Sequence, residues 1–430
     1  NLDRLAAGGA NVRNYFTNCP VCVPSRCTLF TGRYPHSHRI RENYNLLEAG
    51  REIHLFRILK QEGYRIGYCG KNHLLESSEL ANFDYTAYIG AEDKPQAEQD
   101  LMDTYSRWRR EIGVPPGKSE IWRTGFVHDG PPEATRTWQT AEAARQFLRT
   151  QDPQTPFCLC ASFSDPHVPH MALREYFEKY PVEQMKLYPE REGELKEKAR
   201  RWQIKYGAFN AKEATELDKK RYIAVYYAMI SWVDAQVGEI LETLREKGLE
   251  EDTLIVFTAD HGEFAFEHGL AKKDLVLVDS LLHVPLLLSF PGRIEPQVVR
   301  EPMVEEVDVL PTVLDLLGVE TPFGVQGESF APVLHGERAE HKDAVFAEIC
   351  PPYLYNKYPD FDAFAGEHGG PGNTPFNVPG DFTKAIRERH WRYIWYGTGE
   401  EELYDHRSDP HEQVNLAGDP ACAAEKTRLK

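Results

Sequence analysis

The sequence lacks any apolar run long enough to cross a bilayer, and residues 1–5 lack the basic and apolar regions of a secretory signal peptide. These absences predict a soluble protein with no membrane partner, but they do not indicate whether it is cytoplasmic, periplasmic or secreted. The first residue is Asn1, not Met, and residues 2–7 have the pattern of the middle of an amphipathic helix. We therefore expect a further segment upstream of Asn1.

Basic residues are also scarce. The 430 residues include 50 Lys and Arg against 67 Asp and Glu, a formal net charge of −17. This balance excludes general nucleic-acid binding, because neutralising phosphates requires clustered basic side chains. Residues 1–41 are the exception, with six arginines and one acid and hence a local charge of +5. A basic island in an acidic protein favours a pocket for a small anion.

The eight cysteines show no spacing typical of a disulfide framework. Cys19 and Cys22 form a C-x-x-C pair, which raises the alternative of a redox or zinc site. No second C-x-x-C or C-x-x-H pair supplies the other two ligands of a four-ligand zinc site. The pair by itself therefore indicates no metal site.

Three short apolar segments, residues 63–69, 157–163 and 253–259, predict β-strands with helices between them. Such alternation is typical of an α/β fold with a mostly parallel central sheet flanked by helices. The first strand leads into Lys71 and His73, the second into His167 and the third into Asp260. Active sites of open parallel sheets lie beyond the carboxyl ends of the strands, so we expect these side chains to share one crevice.

A core helix is predicted between the second and third strands by apolar residues at intervals of three and four, ending at Gly248: Ile223, Tyr226, Ile230, Val233, Val237, Ile240 and Leu244. The charged residues 189–220 before it predict a solvated helical excursion.

Residues 1–337 are expected to form the catalytic domain and residues 338–430 a small antiparallel subdomain. The subdomain strands are predicted at 344–349, 383–387, 391–396 and 402–404, and residues 366–380 predict a loop over the substrate entrance.

The most specific motif follows Cys19: Cys22-Val23-Pro24-Ser25-Arg26-Cys27-Thr28-Leu29-Phe30-Thr31-Gly32-Arg33. Pro24 suits the first turn of a helix and Gly32 its end, so Cys22 would lie at a helix N-terminus, where the dipole favours an anion. The motif resembles the C-x-P-S-R signature of the formylglycine-dependent sulfatases, in the alkaline-phosphatase-like superfamily. Arg26, one turn along from Cys22, would then offer its donors to the nucleophile or a sulfate oxygen.

This resemblance implies that a maturation enzyme oxidises Cys22 to formylglycine (3-oxoalanine), which supplies the hydroxyl nucleophile. By resemblance, Lys71 holds sulfate and His73 assists sulfate release, while His167 and Lys273 assist the leaving group. Lys272 is the close rival of Lys273. The implied substrate is a small sulfate monoester of a carbohydrate or of an aryl or alkyl alcohol.

The segment Asp260-His261-Gly262 is similar to the metal-binding D-[HN]-G element of the family. It implies that Asp260, His261 and the residue derived from Cys22 bind Ca²⁺, with Mg²⁺ or Mn²⁺ as alternatives. Glu402-Leu403-Tyr404-Asp405 and residues 409–416 are similar to C-terminal structural elements of the family. Four further histidines have weaker claims to a role: His36, His38, His170 and His268.

The sequence departs from the family in one respect. Family members usually open with a strand ending in two adjacent metal-binding aspartates, and this chain starts after that point. If the polypeptide were complete, we would expect poor metal binding and weak activity, because calcium requires about six to eight oxygen ligands.

Two other functions stay open. The same type of site suits a phosphonate monoester or phosphodiester hydrolase, and the chain could instead be an inactive protein that binds sulfated ligands. Trp108, Trp122 and Trp138 are either stacking surfaces for a sugar or core residues. The oligomeric state is not indicated.

Overall fold

A computed structural model describes residues 1–43, 45–48, 50–87, 94–113, 125–208, 214–273, 276–349 and 382–430. Trp122 and the predicted entrance loop at residues 366–380 lie outside the described residues. Among the described helices, none has the length and apolar character that a membrane span requires.

Fifteen strands are described, numbered here in chain order: β1 Ala10–Val12, β2 Tyr15–Phe16, β3 Arg65–Gly70, β4 Tyr85–Ala87, β5 Phe126–His128, β6 Phe157–Ser162, β7 Met171–Leu173, β8 Ile255–Thr258, β9 Leu286–Ser289, β10 Gln297–Val299, β11 Val304–Glu305, β12 Ala344–Ile349, β13 Thr383–Glu388, β14 Trp391–Tyr396 and β15 Glu401–Asp405. The described α-helices are α1 Leu2–Gly8, α2 Cys22–Thr31, α3 Pro35–His38, α4 Leu55–Gln61, α5 Ser77–Leu80, α6 Gln96–Glu111, α7 Arg136–Arg149, α8 Arg174–Phe177, α9 Arg200–Ala208, α10 Glu216–Glu246, α11 Asp279–Leu282, α12 Val309–Leu317, α13 Ala331–Leu334 and α14 Ala423–Leu429.

The predicted α/β architecture is confirmed. Strand β3 lies between β4 and β6, and both pairings are parallel. A second sheet has the order β10-β1-β9-β8, in which β1 and β10 are parallel while β9 is antiparallel to both of its neighbours. The three strands predicted to lead into functional loops are β3, β6 and β8, within two residues of their predicted bounds.

Strands β6 and β8 run close together without a described ladder between them. Phe157 and Leu159 of β6 pack in one apolar cluster with Ile255 of β8. At the other end of the strands, Arg26 hydrogen-bonds both Ser162 and Asp260. Although both strands are apolar, most of their residues are only half-buried. Strand β6 therefore belongs to the described three-stranded sheet β4-β3-β6, and β8 to the four-stranded sheet β10-β1-β9-β8.

Helix α10 is the core helix predicted from apolar spacing. Thr215 and Asp218 form a capping box at its start, and Gly248, two residues beyond its end, has a left-handed φ of 66°. Val233 and Leu244 of the predicted stripe are buried, but Ile230 is 39% exposed. The prediction was therefore wrong for Ile230. The buried face of α10 instead includes four residues that the predicted stripe omitted: Tyr222, Val225, Met229 and Trp232.

The four predicted C-terminal strands form an antiparallel sheet in the order β12-β13-β14-β15. Ile394 and Tyr404 of this sheet pack in one cluster with Phe264 and Leu281 of the preceding region. Arg392 Nη1 also donates to the Leu277 carbonyl at 2.6 Å. The sheet is therefore tied to the chain around residues 264–281. The domain boundary at residue 338 stays a prediction.

The charged segment at residues 189–220 is not the solvated excursion that its composition predicted. In α9, Arg201 and Trp202 are buried, and Trp202 Nε1 donates to Glu402 Oε1 at 3.0 Å. The buried Lys198 pairs with Glu194 at 3.5 Å and donates to the Tyr404 hydroxyl at 3.1 Å. The prediction failed because tertiary partners compensate these charges, which a count of charges along the chain cannot show.

Gly70, the last residue of β3, is expected to tolerate no side chain. Its φ is +89°, and an added Cβ would lie 2.2 Å from the Ser162 carbonyl oxygen. Gly63 has a similar φ of +85°, but an added Cβ there would meet nothing within 4 Å. We expect Gly63→Ala to lower the free energy of unfolding by about 1–2 kcal/mol through backbone strain, and Gly70→Ala by about 3 kcal/mol or more because overpacking adds to it. Urea denaturation of both variants measures the difference, and equal losses would contradict the steric argument.

Candidate active site

Helix α2 begins at Cys22 and places its thiol at the helix N-terminus. Val21 is the N-cap, and Gly32 ends the helix in the left-handed region with a φ of 61°. The Asn43 Oδ1 accepts from the Val23 N–H at 3.0 Å, which satisfies one of the open donors of the first turn. Cys22 is 1% exposed. The helix predicted from Pro24 and Gly32 is thus present in the structure.

Three basic side chains surround the Cys22 sulfur. His261 Nε2 lies 3.2 Å and Lys71 Nζ 3.7 Å from Sγ, and Lys273 Nζ is also in hydrogen-bonding contact with it. Burial by itself raises the pKa of Cys22, but Lys273 and His261 outweigh burial and hold it well below its usual value. The site therefore stabilises negative charge at the position of the Cys22 sulfur.

Lys71 follows β3 and is held by its backbone. Its N–H donates to the Ser162 carbonyl at 2.8 Å, and its carbonyl accepts from the Tyr68 hydroxyl at 3.0 Å. Burial lowers the pKa of Lys71, and the negative charge at Cys22 opposes that shift. The end of the strand thus sets the direction in which the ammonium group points.

Lys273 lies between Cys22 and His261. Its Nζ is 2.5 Å from His261 Nε2, and its own carbonyl accepts from the buried Lys205 of α9. His261 Nδ1 donates to the Gly262 carbonyl at 2.8 Å, so Nε2 is the ring nitrogen that faces Lys273. Of the two rival lysines, Lys273 is therefore the one that contacts Cys22.

Arg26 binds protein partners that the sequence did not predict. Its Nε donates to Asp260 Oδ2 at 3.0 Å and its Nη1 to Ser162 Oγ at 2.7 Å. Burial alone would raise the pKa of Asp260, but His261 and Arg26 hold it well below its usual value. In this structure Arg26 orients Asp260, and no described hydrogen bond joins its guanidinium to Cys22.

The two candidate proton-transfer histidines lie on the neighbouring loops. His167 Nδ1 donates to the Val168 carbonyl at 2.8 Å, and desolvation followed by the charges of Lys71 and Lys273 lowers the pKa of His167 to about 4. His73 follows Lys71 by two residues. Within the described part of the chain, its buried Nδ1 has no hydrogen-bond partner and the ring makes no hydrogen bond to Cys22. The structure thus brings His73 to the same loop but not into contact with the sulfur.

Asp260, His261 and Cys22 could hold a metal ion, since one ligand atom from each lies within 4.8 Å of the others. They offer one carboxylate, one imidazole and one sulfur, while Arg26 and Lys273 already occupy part of their hydrogen-bonding capacity. Calcium prefers six to eight oxygen ligands. These three residues by themselves therefore do not fit calcium.

The second cluster of potential ligands is Asp279, His406 and Glu412. Arg392 pairs with both carboxylates, and Arg387 pairs with Asp279 at 3.0 Å. Two guanidinium groups thus neutralise the two acids, so this cluster is an ionic contact between the C-terminal sheet and α11.

Cys19 belongs to neither cluster, and no disulfide joins it to Cys22. The described residues therefore give the redox or zinc alternative no support.

The four histidines with weaker claims all have structural partners. His36 and His268 pair with Glu348 at 2.9 Å and Glu194 at 2.5 Å. The remaining two lie near hydroxyl groups, His38 at 3.1 Å from Thr28 and His170 at 3.5 Å from Tyr222. Of the tryptophans considered as sugar-stacking surfaces, Trp108 packs against the Phe126 ring. Trp138 is half-buried in the first turn of α7, where its backbone N–H donates to the capping Thr135 hydroxyl.

The site also contains residues that the sequence analysis missed. Ser162 accepts from Arg26, Lys205 holds the carbonyl of Lys273, and Glu306 contacts Ser25 at 2.6 Å. Ser162 ends a predicted strand, which is a weak signal for a role near the site. Lys205 lies in the segment whose composition indicated solvated charge, and Glu306 lies outside every predicted element, so no local pattern identified them.

Asp165, two residues before His167, should limit stability at neutral pH. Burial raises its pKa to about 6 from an ordinary value of 3.8, although the Thr137 hydroxyl donates to it at 2.6 Å. Because the folded protein holds this proton more tightly than the unfolded chain, the contribution to stability is lost as pH rises from 3.8 through 6. We expect Asp165→Asn to raise the free energy of unfolding at pH 7.5 by about 1–2 kcal/mol, reduced from the full linkage value because the side chain is partly exposed. The gain should disappear below pH 4 in thermal unfolding measured across pH, and a gain independent of pH would contradict the assignment.

Comparison with known proteins agrees with this geometry. The family model described as Sulfatase matches residues 1–319. A multifunctional alkaline phosphatase superfamily protein of Trinickia caryophylli is 29% identical over 459 residues, covering 99% of this chain and 86% of the relative. A choline-sulfatase of Rhizobium meliloti is 26% identical over 446 residues, covering 100% of this chain and 79% of the relative.

Among solved structures, the phosphonate monoester hydrolase of Agrobacterium radiobacter superposes with a TM-score of 0.79 at 24% identity, covering 99% of this chain and 88% of that one. This likeness confirms the fold. The family match covers the motif at Cys22, both lysine loops and the Asp260 segment. The chain therefore belongs to the sulfatase family, whose homologues are sulfuric ester hydrolases.

Proposed function

We propose that this protein hydrolyses sulfate monoesters of a carbohydrate or of an aryl or alkyl alcohol, with a nucleophile derived from Cys22. One observation carries the proposal: the Cys22 sulfur is buried at the N-terminus of α2 within reach of Lys71, Lys273 and His261. A helix N-terminus and two ammonium groups together suit a reaction that concentrates negative charge at one point.

Conversion of Cys22 to formylglycine by a maturation enzyme would supply, as the aldehyde hydrate, two hydroxyl groups: one to attack sulfur, and a second whose deprotonation would expel sulfate and restore the aldehyde. The surrounding side chains then have separate tasks. Lys71 and Lys273 neutralise charge on the sulfate oxygens, and Arg26 keeps Asp260 ionised and oriented beside them. Lys273 protonates the departing alcohol oxygen, or His167 does so after taking up a proton, since its pKa of about 4 leaves the imidazole neutral at pH 7. His73 accepts a proton from the second hydroxyl group during sulfate release.

The direct test compares initial rates on an aryl sulfate and a matched aryl phosphonate monoester. The protein should be produced in a host that contains a formylglycine-generating enzyme, so that Cys22 can be converted. We expect a higher kcat/KM for the sulfate. Preference for the phosphonate would support the alternative of a phosphonate monoester or phosphodiester hydrolase, which the 29% identity to a multifunctional relative and the structural likeness to a phosphonate monoester hydrolase favour.

The second alternative is a protein that binds sulfated ligands without turnover. Mass spectrometry of the peptide that contains Cys22 separates it from both hydrolases. We expect the mass of formylglycine after production with the maturation enzyme. An unmodified thiol combined with binding of a sulfated saccharide would favour the binding protein.

Sulfatases generally use a divalent metal, and we propose that Asp260 and His261 contribute two of its ligands. The identity of the metal ion, calcium or alternatively magnesium or manganese, stays a prediction. Because the described donors are few, we expect calcium alone to bind weakly, with a dissociation constant of about 10⁻⁴–10⁻³ M. Isothermal titration calorimetry of each ion measures this, and Asp260→Asn should weaken binding further. Unchanged affinity in that variant would exclude Asp260 as a ligand.

A further inference from the structure

Glu306 is a fully buried carboxyl group beside the helix that carries Cys22. It begins the 3-10 turn Glu306–Asp308 that precedes α12, and it is 0% exposed. Ser25 Oγ lies 2.6 Å from its Oε1, and the Thr17 hydroxyl lies 2.9 Å from its Oε2. Among the described residues, no Lys, Arg or His forms an ion pair with Glu306. A charged carboxylate in this position would therefore lack a compensating cation.

The hydrogen bonds around Ser25 determine where a proton must lie. Ser25 Oγ is 2.7 Å from the Asp260 carbonyl oxygen as well as 2.6 Å from Glu306 Oε1. A carbonyl oxygen can only accept, and a serine hydroxyl has one proton to donate. If Ser25 donates to Asp260, the contact with Glu306 is a hydrogen bond only when the carboxyl group donates. A deprotonated Glu306 would leave one of these two contacts, at 2.6 or 2.7 Å, with no proton between its oxygens.

The second carboxyl oxygen of Glu306, Oε2, accepts hydrogen bonds instead of donating one. The Thr17 hydroxyl donates to Oε2 at 2.9 Å, and the Asn18 N–H approaches the same oxygen at 3.4 Å. One oxygen therefore accepts while the other donates, which is the pattern of a neutral carboxylic acid. The charged and titratable groups near it, from every packed element, are Asp260, Asp308, Tyr15 and Cys27. Burial, followed by the negative charge of Asp260, raises the pKa of Glu306 well above its usual value.

We infer that Glu306 keeps its proton in the folded protein, donates it to Ser25, and so acts as a positioning residue for Cys22 and Asp260. Ser25 links α2 to the Asp260 backbone, and the adjacent Arg26 links the same helix to the Asp260 carboxylate. The catalytic consequence rests on the proposed function, but the protonation state does not. Loss of the proton would free the Ser25 hydroxyl to turn from Asp260 towards Glu306, and the backbone tie would be lost.

The test is infrared spectroscopy of the whole protein at pH 7 without substrate. We expect a carbonyl stretching band of a protonated carboxylic acid that shifts in heavy water and disappears in Glu306→Gln. The neighbouring Glu305 provides a matched control. It is also buried, but Lys342 pairs with it at 2.7 Å, so it should be ionised. Glu305→Gln should therefore leave the band in place. A carboxylic acid band that loses no intensity in Glu306→Gln, or that is absent from the wild type, overturns the inference.

Stability gives a second readout. A glutamine amide can donate to Ser25 and accept from Thr17 as a neutral acid does, so Glu306→Gln should shift the urea midpoint less than Glu305→Gln, which removes a paired charge. A larger loss in Glu306→Gln would overturn the inference.

For function, Glu306→Ala should lower kcat about tenfold with little change in KM, and Glu306→Gln should restore most of the lost kcat. If the wild type hydrolyses no sulfate ester, the proposed function fails while the infrared result still decides the protonation state.

Discussion

Cys22→Ala is expected to lower the hydrolysis of sulfate esters by about 10³-fold or more, because it removes the proposed source of the nucleophile. The cationic surroundings of Lys71 and Lys273 would remain, so the substrate should still bind. Initial rates on an aryl sulfate measure the loss, and binding of inorganic sulfate by calorimetry measures what remains. Loss of turnover with retained sulfate binding is the expected result.

Cys19→Ala is the control for Cys22→Ala. Cys19 is buried three residues earlier in the chain, and it carries the same thiol in the same C-x-x-C pair. We expect Cys19→Ala to change turnover less than about threefold, since it belongs to no ligand cluster around the site. Equal losses in the two variants would instead support a redox or metal role for the pair, and full activity in Cys22→Ala would exclude Cys22 as the nucleophile.

Lys273→Met is expected to lower kcat by about 10²–10³-fold, because the ammonium group that contacts both the nucleophile position and His261 would be lost. The variant keeps a side chain of similar length, so packing changes little. If Lys273 also protonates the departing alcohol, the loss should grow as the alcohol becomes a poorer leaving group. Turnover of a series of aryl sulfates with phenols of increasing pKa measures this dependence.

The adjacent Lys272→Met provides the comparison. Lys272 has a left-handed φ of 65°, and its charge acts on His170. Of the two adjacent lysines, Lys273 is the one with a described hydrogen bond to Cys22. We expect Lys272→Met to retain turnover within about fivefold. A larger loss in Lys272→Met than in Lys273→Met would show that the loop presents the other lysine during catalysis.

Much of the fold could be predicted because it depends on local pattern. The strands at β3, β6 and β8 were visible as short apolar runs, each followed by a loop with a charged or imidazole side chain. The start of α2 at Cys22 follows from Pro24 and Gly32. The predicted stripe of α10 was only partly right, since Ile230 faces outwards while Trp232 is buried. Periodicity indicates that a helix has an apolar face, but the packed neighbours decide how wide that face is.

The site divides in the same way. The motif spacing predicted that Cys22, Lys71, Asp260, His261 and Lys273 would meet, and they do. It did not predict that Arg26 would bind Asp260, since the partner lies 234 residues away. It also gave no sign that Lys205 would hold the Lys273 carbonyl from a segment rich in surface-type charges. Long-range hydrogen bonds have no local signature in a single sequence.

The sequence by itself determined the family, the position of Cys22 at the start of α2 and the loops that carry the basic side chains, because these depend on residue types at short fixed offsets. Only the tertiary structure decided which of two adjacent lysines contacts Cys22, which acid Arg26 orients, and that the buried Glu306 meets Ser25 without a cation. The physical reason is that charge and proton positions depend on the distances between side chains from different strands and helices. Those distances are set by packing, and no run of neighbouring residues contains them.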